Sequence, residues 1–304
     1  METNEVKRTG VIGLGAMGLQ MARHLLRKGF DVTGYDVDVD AMRRAVEQGA
    51  KTCLSPAQVG DHAEVVIVMV ASDQQVDEVV AQSGLLDRLQ PDSVICIASS
   101  CAPETCRRME EIAAAHRVGV LDCPVVLGQE AANNGTVTSY VGGEERWLAR
   151  ARPVLAAFSA RVLHLGPVGT GQIAKTINNM LLWACMAANF ESLTLAKTLG
   201  ADIPRLIEAL GHGSGANWSL SRWGKSTGKW AEKDMDVALE LGARRQGAHA
   251  ARRIGRSTDE IHQSGQDESA VVVISLLARQ VATAHAGSAA DWASLVAGVG
   301  TCNG

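Results

Sequence analysis

The sequence contains no uninterrupted run of eighteen apolar residues, and its first ten residues are mostly polar and lead directly into a strand-like segment. A membrane-spanning helix needs about 20 predominantly apolar residues, so we expect neither a membrane span nor a signal peptide. The seven cysteines are scattered, without a C-x-x-C motif or a Cys/His cluster. This argues against a metal site and is typical of reduced thiols in a cytoplasmic protein.

The charge of the chain argues weakly against nucleic acid as its main partner. The formal net charge is −4, and a strongly basic surface, which nucleic-acid binding requires, is not expected. The 304 residues are 46% apolar and 20% charged, a composition typical of a globular protein that is long enough for two domains.

A glycine-rich turn near the N-terminus predicts a dinucleotide site. An apolar strand leads into a G-x-G-x-x-G motif, which is followed by a predicted helix over 19–28 and a second strand over 31–35. Such glycines permit a tight turn, close approach of a pyrophosphate and close helix packing, while the helix N-terminus attracts phosphate. The predicted cradle consists of Gly13, Leu14, Gly15, Ala16, Met17 and Gly18.

Asp36 ends the second predicted strand, eighteen residues after the last glycine of the motif. A carboxylate at this point can accept hydrogen bonds from both ribose hydroxyls and would repel a 2′-phosphate. We therefore expect NAD as the cofactor. Arg43 and Arg44 follow in the next predicted helix and leave NADP open as the less favoured alternative.

The alternation of strands and helices continues beyond the motif. Apolar runs at 65–70, 94–98 and 118–122 are separated by helical patterns at 40–48, 74–80 and 104–116. Fully apolar strands that alternate with helices predict a doubly wound α/β domain with a parallel sheet. Ligands bind beyond the carboxyl ends of such strands, so residues 69–72 and 99–102 are expected to face the cofactor.

The segment 166–200 begins with a glycine-rich turn, and the roughly thirty residues after it predict one long helix that Gly200 ends, because apolar residues recur there at helical spacing without proline or internal glycine. Lys175 stands near its start and Asn179 follows one turn later. Residues at i and i+4 share a helix face, so both side chains can point into one cleft. The alternative is a solvated lysine beside a capping amide.

Three segments resemble the β-hydroxyacid dehydrogenase family, which includes 3-hydroxyisobutyrate dehydrogenase. They are GLGAMG at 13–18, DCPVVLGQEAANNGT at 122–136 and GTGQIAKTINN at 169–179, and the resemblance extends from about residue 6 to residue 241. It implies an N-terminal Rossmann domain over 1–167, a long interdomain helix and an all-α C-terminal domain within 168–304. It also implies a homodimer or homotetramer.

The resemblance implies specific roles for individual residues. Lys175 would be the catalytic acid/base and Asn179 would contact the substrate. An ordinary lysine titrates near 10.4, and burial in a cleft would lower that value toward a useful range. On the cofactor side the resemblance assigns Val70, Ala71, Ser100 and Lys233.

The implied function is hydride transfer between NAD and the CH–OH group of a 3-hydroxyacid or related alcohol, with a small molecule as substrate. Two alternatives stay open from the sequence. One is a carbonyl or imine reductase of the same fold, and the other is a non-catalytic nucleotide-binding module.

One part of the substrate motif departs from the family pattern. Where the family commonly has Ser-Gly-Gly, this chain has Val126, Leu127 and Gly128. The change removes a hydroxyl and adds apolar bulk, so we expect a substrate that is larger, less polar or differently charged than 3-hydroxyisobutyrate. A backbone amide at Gly128 would still allow an anion.

The C-terminal segment 243–304 is anomalous, because it begins with an arginine-rich stretch that has no sustained apolar face. Without aromatic interleaving, this stretch does not predict nucleic-acid binding. A one-base shift of a compatible coding sequence would restore an amphipathic helix. Our hypothesis is a frame slip near residue 243, which the nucleotide sequence would test.

Overall fold

A computed structural model describes residues 6–224. The chain divides into two units, Met1–Lys175 and Thr176–Gly304. Lys233 and the anomalous segment 243–304 lie outside the described residues. Within the described residues, no helix combines the length and the apolar character that crossing a membrane requires.

The first unit contains a nine-stranded sheet. Its strands are β1 (Arg8–Ile12), β2 (Asp31–Tyr35), β3 (Lys51–Thr52), β4 (Val65–Val68), β5 (Val94–Ile97), β6 (Gly119–Asp122), β7 (Val125–Val126), β8 (Val137–Gly142) and β9 (Ser159–Gly166). The order is β3-β2-β1-β4-β5-β6-β8-β7, and β9 pairs with β8. The six strands β3, β2, β1, β4, β5 and β6 run parallel, whereas β8 is antiparallel to β6 and β7.

Helices connect these strands. They are α1 (Gly18–Arg27), α2 (Val39–Glu47), α3 (Pro56–Gly60), α4 (Asp73–Asp77), a π-helical turn (Glu78–Gln82), α5 (Leu85–Arg88), α6 (Pro103–Ala114), α7 (Gly128–Asn134) and α8 (Glu145–Ala156). The long helix α9 (Thr170–Thr198) begins in the first unit and continues into the second, where α10 (Ile203–Leu210) and α11 (Trp218–Ser221) follow. The predicted fold class is confirmed: a doubly wound parallel sheet, followed in the described residues by helices.

Two apolar layers cover the faces of the sheet. Alternate residues of a strand point to opposite faces, so Val11 of β1 packs in one layer and Ile12 in the other. All four residues of β4, and all four of β5, are buried. A strand buried on both faces has to be apolar throughout, which explains why these runs were recognisable in the sequence.

Two of the predicted elements are shorter or interrupted in the structure. The apolar run at 65–70 forms a strand only as far as Val68, because the amide of Val70 instead donates to Ser99 Oγ at 2.7 Å. The helix predicted over 74–80 is divided into α4 and the π-helical turn.

Candidate active site

The glycine motif forms a tight turn between β1 and α1. Gly13 has a φ of +92°, and a Cβ there would overlap the carbonyl oxygen of Met69. A Cβ on Gly18 would likewise overlap the carbonyl oxygen of Gly13, whereas one on Gly15 would meet nothing within 4 Å. Two glycines are thus required by the turn itself, and the third leaves an open backbone surface. This geometry fits the approach of a pyrophosphate.

The other residues of the motif differ in exposure. Leu14 is fully buried beneath the turn, Met17 is half-buried and Ala16 is exposed. The carbonyl of Ala16 accepts a hydrogen bond of 2.9 Å from Gln129 Nε2. Gln129 lies in α7, so this contact joins the glycine turn to the helix that follows residues 126–128.

Asp36 lies directly after β2 and closes the same turn. Its Oδ2 accepts from the amide of Leu14 at 2.6 Å, and its Oδ1 accepts from the amide of Asp38 at 2.8 Å. A carboxylate offers about four lone-pair positions, so both oxygens can accept further donors. The protein's own backbone amides therefore orient the side chain toward the glycine turn.

The two arginines of α2 make ion pairs on that helix and its cap. Arg43 pairs with Asp40 at 3.0 Å, and Arg44 pairs with Asp38 at 3.6 Å. Asp38 also caps α2 by accepting from the amide of Asp40. The basic charge near the tip of β2 is thus matched locally by acidic charge.

The loops after β4 and β5 are tied together by Ser99. This buried hydroxyl accepts from the amide of Val70 and donates to the carbonyl of Val68 at 3.3 Å. The predicted residues around it are partly accessible, since Val70 and Ser100 are half-buried and Ala71 is exposed. The sequence singled out Ser100, but the bond between the loops comes from its neighbour.

The start of α9 is attached to the carboxyl ends of β5 and β6. Asp122, the last residue of β6, accepts from the amides of Gly169 and Gln172, each at 2.7 Å. Gln172 Nε2 donates to the carbonyl of Ser99 at 2.7 Å, and its Oε1 accepts from the amide of Cys101 at 3.2 Å. Sequence reasoning did not identify either side chain, although both fall within the quoted motifs.

Lys175 lies one turn after Gln172 and is half-buried. Its Nζ donates to the carbonyl oxygen of Val125 at 3.0 Å. Val125 begins β7, three residues after Asp122. The ammonium group is therefore held beside the 125–128 segment, next to the edge where the parallel strands end.

Comparison with known proteins identifies the family. Residues 8–166 match the NAD binding domain of 6-phosphogluconate dehydrogenase, and residues 169–275 match the NAD-binding domain of NADP-dependent 3-hydroxyisobutyrate dehydrogenase. The 3-hydroxyisobutyrate dehydrogenase of Pseudomonas aeruginosa is 41% identical over 211 residues, which cover 69% of this chain and 71% of that enzyme. The chain belongs to the β-hydroxyacid dehydrogenase family.

Two further proteins agree with this assignment. An NAD-dependent L-serine dehydrogenase of Pseudomonas aeruginosa is 34% identical over 216 residues, covering 71% of this chain and 72% of that enzyme. The structure of Mycobacterium tuberculosis 3-hydroxyisobutyrate dehydrogenase with L-serine has a TM-score of 0.75 at 24% identity, covering 97% of this chain and all of that one, and supports the fold. The protein is thus an NAD(P)-dependent dehydrogenase of CH–OH groups, and the reductase alternative is not favoured.

The segment predicted to contact the substrate, residues 126–128, has an unusual backbone. Val126 is buried, whereas Leu127 is 39% exposed and has a φ of +83°, in the left-handed region that favours glycine. Gly128, with a φ of +74°, then begins α7. A leucine with this backbone conformation carries steric strain, so the segment presents an apolar side chain at a cost to the fold.

The second unit contains the predicted substrate contact, Asn179. This residue is buried, and its Oδ1 accepts from Asn178 Nδ2 at 3.1 Å. Farther along α9, buried Asn189 exchanges hydrogen bonds with Asn217 and donates to Ser219 Oγ. The last of these contacts fixes the start of α11 to the long helix.

Burial and hydrogen bonding together shift the pKa values of two groups, Asp122 and Cys106. Burial raises the pKa of the Asp122 carboxyl, and the backbone amides that bind this carboxylate oppose the effect without cancelling it. The pKa of the Cys106 thiol is also raised, by its hydrogen bond with Cys101 and by burial. Among residues 6–224, no cluster of His, Cys, Asp or Glu is arranged to hold a metal ion.

Proposed function

We propose that the protein transfers a hydride between NAD and the CH–OH group of a 3-hydroxyacid, with Lys175 as the general acid/base. The observation that carries the proposal is the 3.0 Å hydrogen bond from Lys175 Nζ to the Val125 carbonyl. It holds an amine next to the carboxyl-end edge of the sheet, the edge from which the Gly13–Gly18 turn also projects. Ligands of open α/β sheets bind in the crevice at that edge.

The reaction requires a hydride transfer and a proton transfer, which the cofactor and Lys175 would carry out separately. When bound, the nicotinamide supplies the hydride acceptor or donor. The Lys175 amine takes the proton of the substrate hydroxyl in the oxidative direction and returns it in the reductive direction. The Val125 carbonyl fixes the nitrogen by accepting one N–H, and a base held at a defined position reacts faster than a mobile one.

NAD is proposed rather than NADP because of the charges around β2. Asp36 directs a carboxylate toward the glycine turn, where it would accept ribose hydroxyls and repel a 2′-phosphate. Arg43 and Arg44 are engaged with acidic neighbours, which weakens their attraction for a phosphate. The cofactor side of the site is proposed to include Val70, Ala71, Ser100 and, outside the described residues, Lys233.

For the substrate, we infer a 3-hydroxyacid with an apolar substituent. Leu127 offers apolar surface beside Lys175, and buried Val126 places an apolar side chain where the family commonly has a serine hydroxyl. The Gly128 amide is proposed to bind the carboxylate. Asn179, on the same helix one turn after Lys175, is proposed to hold the substrate oxygen without adding charge. By family resemblance the active form is a homodimer or homotetramer, with the domain boundary near residue 167.

The test is a steady-state assay of the purified chain that follows the absorbance of the reduced nicotinamide. The panel contains 3-hydroxyisobutyrate and L-serine, because two relatives are dehydrogenases named for these compounds. It also contains 3-hydroxyacids that carry longer alkyl groups. We expect turnover with NAD, a preference for the alkyl substrates, and a much weaker reaction with NADP. Turnover of none of these hydroxyacids would overturn the proposal.

Cofactor choice is tested separately by Asp36→Asn. Loss of the charge-assisted hydrogen bonds to ribose should raise the KM for NAD by about tenfold and reduce the discrimination against NADP. Asp61→Asn, which neutralises an exposed carboxylate paired with Arg88, is the matched control. An unchanged ratio of kcat/KM for NAD and NADP in Asp36→Asn would contradict the assignment.

A further inference from the structure

Two buried polar side chains that bind at the start of α9, one from β6 and one from α9 itself, take no part in the proposed chemistry. Asp122 is 0% exposed and Gln172 is 1% exposed. Burying a charge or an amide is unfavourable unless its hydrogen bonds are satisfied, so such residues require a reason. Both lie in the first unit, as does Lys175.

Asp122 substitutes for a helix cap. Its two oxygens accept from the amides of Gly169 and Gln172, one on each side of the first residue of α9. The first amides of a helix have no partner within the helix, and the helix dipole favours a negative charge there. A residue that is 47 positions before Gly169 thus supplies the cap.

Space around the carboxylate is closed. A Cβ on Gly142 would overlap Asp122 Oδ1, and one on Gly171 would lie 2.8 Å from Asp122 Oδ2. Glycine at these two positions lets the strand β8 and the helix α9 approach the carboxylate closely. Its position cannot shift without moving one of those backbones.

Gln172 fixes the same turn from a second direction. Its side-chain amide bonds to the carbonyl of Ser99 and to the amide of Cys101, both in the loop after β5. Asp122 and Gln172 together therefore hold the first turn of α9 to two neighbouring strands. Lys175 follows Gln172 by three residues, a spacing that puts both on the same side of the helix.

We propose that Asp122 and Gln172 are positioning residues for Lys175, and that they set its amine at the place where the substrate hydroxyl reacts. The inference rests on the proposed function, because it assumes that Lys175 is the acid/base. Helix ends often shift and fray. Asp122 binds the first turn of α9 from the end of β6, and Gln172 binds from that turn to the loop after β5. Together they remove this freedom at the turn preceding the reactive group.

The test is a double-mutant cycle of Asp122→Asn with Lys175→Ala. For each variant, kcat is measured by steady-state kinetics and the Kd for NADH by fluorescence titration. Asparagine keeps the size of the side chain but presents an N–H to one of the two amides. In the wild-type background we expect kcat to fall about 10–100-fold, while the Kd for NADH changes by less than about twofold. In the Lys175→Ala background, Asp122→Asn should change kcat by less than about twofold, because residues that act as one unit are not additive.

The outcomes separate the two proposals. An equal loss of kcat in both backgrounds, or no loss in the wild-type background, would overturn the positioning role. If Lys175→Ala alone retains wild-type kcat, the proposed function fails and the inference fails with it. Asp202→Asn, which alters an exposed carboxylate that caps α10, is the control and should leave kcat unchanged.

A second variant covers the case in which Asp122→Asn does not fold. Gln172→Met keeps the length of the side chain while removing both of its hydrogen bonds to the loop after β5. It should show the same pattern, with a loss of kcat that disappears when Lys175 is alanine. Additive losses in this second cycle would overturn the proposal by themselves.

Discussion

Glu64 and Asp122 are carboxylates at opposite ends of the parallel sheet, and each accepts hydrogen bonds from two backbone amides. Glu64 precedes β4 and accepts from the amides of Lys7 and Arg8, at the end where the strands begin. Asp122 ends β6 and accepts from the start of α9. Their surroundings differ: the Glu64 side chain is 15% exposed and pairs with Arg8 and Arg150, each at 3.6 Å, whereas Asp122 is fully buried.

The difference sets opposite ionisation behaviour. Burial would raise the pKa of Glu64, but the amides of Arg8 and Lys7 and the two guanidinium groups hold that pKa below its usual value. For Asp122, burial outweighs the amides and the pKa is raised. Glu64 therefore stabilises the fold as an ordinary paired carboxylate, while Asp122 keeps its charge at a cost. Asp122 lowers stability when it is charged, and it lies at the end of the sheet near Lys175. A destabilising group is expected at a place where the position of a reactive residue matters more than stability.

The largest difference between the carboxyl end and the amino end of the parallel strands should appear in kcat. Lys175→Ala removes the proposed acid/base, and kcat should fall by about 10²–10⁴-fold. Lys51→Ala removes an exposed lysine that pairs with Asp31 at the start of β2, and should leave kcat unchanged. Steady-state kinetics of both variants measure the contrast; comparable losses in the two would show that the rate does not depend on the carboxyl end.

Removal of each carboxylate should give the next contrast, in stability. Asp122→Ala leaves two amides in the dry start of α9 without their acceptor and should lower the free energy of unfolding by about 3 kcal/mol. Glu64→Ala affects partly solvated groups and should cost about 1 kcal/mol. Urea unfolding followed by circular dichroism gives both values. A larger loss for Glu64→Ala would reverse the argument from burial.

How far the sequence predicts this site depends on how local each feature is. The strand over 31–35 was predicted with the bounds that β2 has, because glycine and the acidic stop are adjacent to it. The role of Asp122 was not predictable, since its partners are 47 and 50 residues away. The strands β8 and β9 were missed as well. Six of the eight residues of β9 are fully or partly exposed between its buried first residue and Gly166, so no apolar run marks the strand.

A fall in pH should change the contributions of Glu64 and Asp122 to the free energy of unfolding in opposite directions. A lowered pKa means that the contribution of Glu64 is present above its ordinary pKa of 4.5 and is lost as the pH falls. A raised pKa means that the contribution of Asp122 is greatest below its ordinary value of 3.8 and is lost as the pH rises through the folded-state pKa. The stability gap between wild type and Glu64→Gln should therefore narrow from pH 7 to about pH 4, whereas that for Asp122→Asn should widen. Parallel slopes in urea titrations would contradict the assigned directions.

The smallest expected effect concerns backbone strain at the two ends. Leu127, beside Lys175, and Arg117, which precedes β6, both have positive φ values, of +83° and +55°. Glycine relieves left-handed strain but adds flexibility to the unfolded chain, so Leu127→Gly and Arg117→Gly should each raise the free energy of unfolding by about 0.5 kcal/mol. Only Leu127→Gly removes apolar surface from the proposed substrate segment. It alone should raise kcat/KM for L-serine relative to the alkyl hydroxyacids, and an unchanged ratio would mean that Leu127 is strained for a reason other than substrate choice.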